Sequence, residues 1–492
     1  MAGLGRSELP VLEQAIDLLG REEAGADAAL ADTLNLYTVK LLEHGRPMEA
    51  LAHCERAADL CDELDDPAVA AVTYAQLGAG LAMLDRPQAA LEAITWSLAE
   101  LDRAEEAGQE LPHVRAQAIQ VRGQVLRAFG RKQEGLAHLV EALRLFTRLS
   151  KPLAAAETAS VIADDLLAAG RPEEAAEYAR IATTGYPPDT VKHALATQRL
   201  ARCHMMLGEL AAANALVETL IPLARRSPDD LTHRAILADS LAQSSELLPL
   251  LRLDGGTEAE ARARESIAIY DELLTTGMNA RALHTSRAGA CLTLAAALRM
   301  RDLAADAVQP LREAVATLER YAPDGDPLLG GLLSRAMLML GDALMEAGRA
   351  LEAGLVFHRG TQVTRDELSR AVAHARLGFC QQELGRDDAA DAALRVSATL
   401  LRDLVAARKS AQRNAPQGPG KGPGRRAEQG AEQADGLGEL LRDVLHGRLR
   451  LLEKAGGNDE RRAVEDELRR LRAAEPKAPH ESLASTVSRA QR

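Results

Sequence analysis

Carboxylates crowd one stretch of this chain, Asp62-Glu63-Leu64-Asp65-Asp66. Such a run could hold a divalent cation, but metal-assisted chemistry in a helical protein also needs a deep, dry cavity and further ligands. Aromatic residues make up only 2% of the sequence, too few to line that cavity. The acids therefore read as a connection in which Asp66 or a neighbour caps a helix starting near Pro67. Sulfur and imidazole are dispersed as well. Cys54, Cys61, Cys203, Cys291 and Cys380 stand singly. Cys203 adjoins His204, and His44 and His53 lie near Cys54, yet none has the close ligand spacing of a zinc site. These thiols read as small buried hydrophobes in a reducing compartment, not as a disulfide framework.

Nucleophile chemistry finds no foothold either. There is no Gly-x-Ser-x-Gly elbow, no phosphate-binding glycine loop and no dinucleotide fingerprint. The 12 histidines are spread along the chain without a base-and-nucleophile pairing. The expectation is a protein that is not an enzyme and carries no metal or cofactor. A net charge of −13 argues against direct nucleic-acid binding. One uncharged run of 18 residues, Pro67 to Leu84, is rich in Ala and Gly and broken by Thr73 and Gln76, so no membrane span is expected. The polar start after Met1 lacks the apolar core of a signal peptide, which points to the cytoplasm.

The elements that would position any binding residues are helices. Hydrophobic residues reach 47%, mainly Ala and Leu, which favour helices, while strand formers are scarce. At 492 residues the chain exceeds one ordinary core, so it is several domains or an extended array. A recurring phrase decides for the array: His44-Gly45-Arg46-Pro47-Met48-Glu49-Ala50, Ala169-Gly170-Arg171-Pro172-Glu173-Glu174-Ala175 and Ala347-Gly348-Arg349-Ala350-Leu351-Glu352-Ala353. Weaker copies turn at Asp85, Gly130, Gly208, Gly256, Asp302 and Gly385. Gly and Asp tolerate the left-handed backbone that ends a helix, and Pro suits the first turn of the next.

Small residues keep register with these turns. Seven positions before stand Thr38, Gly78, Gly123, Ala163, Ala201, Ala295, Gly341 and Gly378. Five after stand Ala50, Ala90, Gly135, Ala175, Ala213, Ala261, Ala307, Ala353 and Ala390. Twelve after, Ala57, Ser97, Ala142, Ala182, Ala268, Ala314, Gly360 and Ser397 continue the pattern, with Leu220 as the exception. Small side chains there let paired helices approach closely.

This register resembles the tetratricopeptide repeat over residues 27–408, with about nine copies. The turns recur every 37 to 48 residues, against about 34 in the usual repeat. The long form is similar to the sensor regions of bacterial transcription activators and to kinesin light chains. The sixth copy departs, with Pro249 where a small residue is expected and Gly255-Gly256 at its turn. The resemblance implies an all-α, right-handed superhelical solenoid in which the first helix of each repeat lines a concave groove. Carried onto this register, the groove residues are Asn35; Gln117, Gln120, Gln124 and Arg127; Glu157, Ser160 and Asp164; Gln198, Arg202 and Met205; Arg299; Arg335, Asp342 and Met345; then Phe379 and Gln382. Asn35 resembles a carboxylate-clamp asparagine, but the companion basic residues are not at the matching places. Trp96 is expected to pack between repeats.

Around the array, residues 1–26 are expected to form a capping helix, 409–433 an unstructured Pro/Gly linker, 434–474 a charged helical hairpin and 475–492 a disordered tail. The function that follows is a scaffold or adaptor binding a protein or peptide in the groove. The alternative is a sensor that binds a small effector or signalling peptide and controls a transcriptional regulator in trans.

Overall fold

The computed structural model describes residues 8–21, 26–253, 255–277, 280–321, 327–364, 366–414, 425–456 and 458–473. Among these there are helices and turns and no strand. The chain divides into two compact units, residues 1–236 and 237–492.

The first unit opens with α1 (Glu8–Leu19). Helix pairs follow: α2 (Asp27–Glu43) with α3 (Pro47–Leu64), α4 (Pro67–Met83) with α5 (Pro87–Glu106), and α6 (Pro112–Ala128) with α7 (Lys132–Arg148). Then come α8 (Pro152–Ala168) with α9 (Pro172–Gly185), and α10 (Val191–Met206) with α11 (Leu210–Arg225). The division between units falls within α12 (Leu231–Leu250). The second unit continues with α13 (Thr257–Leu274), the pair α14 (Ala280–Met300) and α15 (Ala304–Tyr321), and the pair α16 (Pro327–Glu346) and α17 (Ala350–Val363). It ends with α18 (Glu367–Glu383), α19 (Asp387–Asn414), α20 (Arg425–Ala455) and α21 (Asn458–Ala473). No helix of the described residues is long and apolar enough to cross a membrane.

The turns form for the reason the sequence suggests. Gly45, Asp85, Gly130, Gly170, Gly208, Asp302, Gly348 and Gly385 all take positive φ between 54° and 79°. At Gly45 the two trailing N–H groups fold back, Gly45 to Leu42 O at 3.0 Å and Arg46 to Leu41 O at 2.9 Å. These bonds satisfy carbonyls that the helix end leaves open. The arginine after the glycine then clips the new helix, Arg46 Nε reaching Glu49 at 2.7 Å and Arg171 Nε reaching Glu174 at 2.8 Å. The acid run ends as a loop: Asp65 takes φ 46°, and Asp66 Oδ1 accepts the Ala68 N–H at 2.9 Å as the cap of α4.

The sixth repeat corrects the sequence reading. Its first helix closes not at Gly256 but at Arg252, whose φ is 55° and whose neighbour Leu253 donates back to Leu248 O at 3.0 Å. Counted from Arg252, the small residue seven positions earlier is Ser245, not Pro249, and Ser245 Oγ donates to Ala259 O at 2.8 Å. Two extra residues then enter before α13. Hence Ala259 and Ser266 are the fully buried pair, while Ala261 and Ala268 face solvent. Three serines show the shift directly. Ser97 and Ser397 each donate to a carbonyl 26 residues back, whereas Ser266 reaches Ala238 O, 28 back.

Close approach explains the small residues elsewhere. A Cβ on Gly78 would stand 2.6 Å from Ile94 Cδ1, and one on Gly123 would stand 2.9 Å from Gly135 O. Trp96 departs from its expected role. It is half exposed on α5 and meets Tyr74 of α4 edge-on at 5.6 Å, a contact within one repeat. The five cysteines are buried and unpaired, and burial pushes the thiols of Cys54, Cys203 and Cys291 up to about 11.

At the N-terminal end, Leu9 and Ile16 of α1 pack with Leu30, Leu34 and Leu41. At the other end, Leu437, Leu441, Val444 and Leu445 of α20 cover Leu394 and Leu401 of α19. Helix α20 begins at Arg425, inside the stretch expected as linker. Residues 415–424 and the 475–492 tail lie outside the described residues.

Candidate functional site

First helices carry the groove residues, and most of the polar ones in the first unit are committed to the neighbouring repeat. Asn35 is buried and exchanges hydrogen bonds with Thr73 Oγ1 at 2.9 and 3.1 Å. Gln120 Nε2 donates to Thr158 Oγ1 at 3.0 Å, again 38 residues on. Both donors stand ten positions before their turn, and both threonines twelve before theirs, so one register joins successive first helices. Arg127 grips Asp165 with two nitrogens, Nη2 at 2.6 Å from Oδ1. Asp164 accepts from Arg199 at 2.6 Å, Glu157 pairs with Lys192, and Ser160 shares a 3.3 Å bond with Tyr186. Gln198 is buried and donates to Ile236 O at 3.4 Å. Among the described residues Gln117, Gln124 and Arg202 have no hydrogen-bond partner, and Met205 is half buried beside them in sequence register. The Gln117-Gln120-Gln124-Arg127 stripe is therefore half inter-repeat mortar, with only Gln117 and Gln124 free.

The second unit does something different. Helices α14, α16 and α18 enclose a cleft of about 280 Å³ lined by Arg299, Asp342, Met345, Glu346, Arg376 and Phe379, with Phe357 and Cys380 at its floor. Four of these, Arg299, Asp342, Met345 and Phe379, were expected from the repeat register. Arg335 lies on α16 as well but does not line the cleft; its Nη2 donates to Glu246 Oε1 of α12 at 2.9 Å. Gln382 is half buried on α18 and does not line the cleft.

Glu346 and Arg376 escaped the sequence reading. They stand two and nine positions before their turns, just off the stripe spaced three and four apart. A signal for Glu346 existed: Arg127 and Arg299 both stand three before their turns, and each takes an acid from the first helix of the next repeat.

The electrostatics are uneven. Arg299 Nε donates to Glu346 Oε2 at 2.9 Å, with a second bond from Nη2. This pairing raises the Arg299 pKa and lowers that of Glu346. Asp342 is treated less well. Its guanidinium neighbours stand at 3.3 Å (Arg376) and 4.0 Å (Arg299), and burial outweighs both, holding its carboxyl above the usual aspartate range. The floor is apolar, because Gly341 leaves room for the Phe357 ring, which is 2% exposed. Gly447 of α20 likewise admits Phe379, whose Cε1 would meet an added Cβ at 2.8 Å.

No protein-family model matches the chain, and no curated protein matches it. Solved structures do. The apo form of RapI superposes with a TM-score of 0.54 at 11% identity, over 76% of this chain and 98% of that one. The chain has the tetratricopeptide-repeat fold. The apo quorum sensor NprR from B. thuringiensis gives 0.48 at 12% identity, over 75% of this chain and 98% of that one. The C-terminal part of a TPR repeat-containing protein from Cytophaga hutchinsonii gives 0.37 at 12%, over 61% and 99%. In tetratricopeptide terms the cleft is the first-helix face of the seventh, eighth and ninth repeats.

Proposed function

We propose that this tetratricopeptide-repeat protein is a non-catalytic scaffold or adaptor that binds a protein or peptide, and that the α14–α16–α18 cleft is its principal contact. One observation carries the reading. Three consecutive first helices converge two arginines and two acids on an apolar floor, a polar rim around an anchor pocket of the kind that binding surfaces use. At about 280 Å³ the cleft falls just below the range of about 300–1,000 Å³ that encloses whole small ligands. Side chains of an extended peptide suit it better than a free effector. The same volume leaves a second reading, a peptide sensor controlling a transcriptional regulator in trans, tied to the same site.

The test is affinity purification from host lysate with three baits, read by mass spectrometry. They are the wild type, a Met345→Glu/Arg376→Glu variant, and a Gln117→Glu/Arg202→Glu variant of the first unit. A partner held by the wild type and by the first-unit variant, and lost from the cleft variant, is the expected result. A partner held equally by all three baits rules the cleft out.

A further inference from the structure

Asp342 occupies the middle helix of the cleft, and its charge is poorly answered. Its side chain is only 20% exposed, and among the described residues it accepts no hydrogen bond. Of its two cationic neighbours, Arg299 is already held by both oxygens of Glu346. Arg376 has its Nε 3.3 Å from Oδ1, and its side chain is 51% exposed. An ionised carboxylate has about four lone-pair sites to satisfy, and a buried one without donors is costly. Asp342 stands near the far end of α16, beyond the free N–H groups that open a helix and could otherwise serve it. Beside it, Met345 and Phe379 supply an apolar wall on which a long aliphatic stem can lie while its charged head reaches the acid.

We infer that Asp342 anchors a cationic group of the bound peptide, a lysine or arginine side chain or the terminal ammonium, whose stem packs on Met345 and Phe379. Phe379 adds its ring face to the same cation. Arg376, half in solvent, stays available for a carboxylate or carbonyl further along the peptide. Glu346 is not the anchor, because Arg299 neutralises it. This assignment rests on the cleft being the partner site.

The experiment probes an array of short immobilised peptides of randomised sequence with the labelled full-length chain at neutral pH and low salt. Bound peptides should share a basic residue at one position. Asp342→Asn, nearly isosteric, should weaken those peptides by about tenfold or more, while Asp342→Glu retains the preference. Asp342→Lys should turn the preference toward acidic residues. Circular dichroism of each variant confirms that the helices are intact. A basic preference that survives in Asp342→Asn, or bound peptides with no basic position, overturns the assignment while leaving peptide binding in place. Absence of any bound peptide on the wild type overturns the peptide reading itself.

Discussion

Single residues in this protein separate into those that hold the stack and those that leave chemistry unspent. Asn35, Gln120 and Arg127 look like binding residues by type, yet each is used up on the next repeat. Asp342 is the opposite case, a carboxylate whose environment raises its pKa because desolvation exceeds the pull of Arg376 and Arg299. The sign of its effect on stability follows. A folded-state pKa above the unfolded value means that the folded chain binds the proton more tightly. Its contribution is therefore favourable below that range and is lost as pH rises through the raised value. Asp342→Asn should raise the Tm at neutral pH, and the gain should vanish as pH falls toward the ordinary aspartate range. Differential scanning calorimetry across pH checks this, and a lowered Tm at pH 7 would show the acid to be structural. Stabilisation on removing a charged side chain is the pattern expected where function opposes stability.

At the scale of the helix pair, glycine has two meanings that position in the repeat tells apart. Gly341 lies seven before its turn, where an added Cβ would run into the ring of Phe357. Gly341→Ala should cost about 1–3 kcal/mol through overpacking, and the smaller Phe357→Leu in the same chain should recover part of that loss. Gly289 lies inside α14 with nothing within 4 Å of an added Cβ. There alanine should stabilise by about 0.5–1 kcal/mol through lost backbone entropy in the unfolded chain. Urea denaturation of the three variants decides both signs. The turns were legible because Gly and Asp announce a left-handed backbone, and the small residues because they keep step with those turns. The sixth repeat was not, since its turn residue is Arg252, a type that carries no such signal, and the two added residues displaced the register of its second helix, α13. The cleft was half legible for a related reason. Arg299, Asp342, Met345 and Phe379 follow the helical stripe, whereas Glu346 and Arg376 matter only once the offset between successive first helices is known.

A repeat stack ends in an apolar face that something must cover, and in the second unit that cover is the hairpin of α20 and α21. The hairpin is bolted on by charge as well as by packing. Arg448 is buried, with Nε 2.8 Å from Asp391 Oδ1, and Arg402 holds both oxygens of Glu467 at 2.7 Å. Truncation after residue 414 would expose Leu394 and Leu401 and strip the support that Gly447 gives Phe379. The shortened chain should melt at a lower temperature and self-associate, which light scattering after size exclusion would detect. Its effect on binding has a definite sign too. A hairpin that folded into the groove as an internal ligand would block it, and truncation would then strengthen peptide binding. Helix α20 instead lies on α19 and against the back of Phe379, so losing it should loosen one wall of the cleft and weaken the basic peptides selected by the wild type. Fluorescence anisotropy with one such peptide, at a concentration where the truncated chain is still monomeric, measures the change. Tighter binding after truncation would mean that the hairpin competes for the cleft; weaker binding would mean that it completes it.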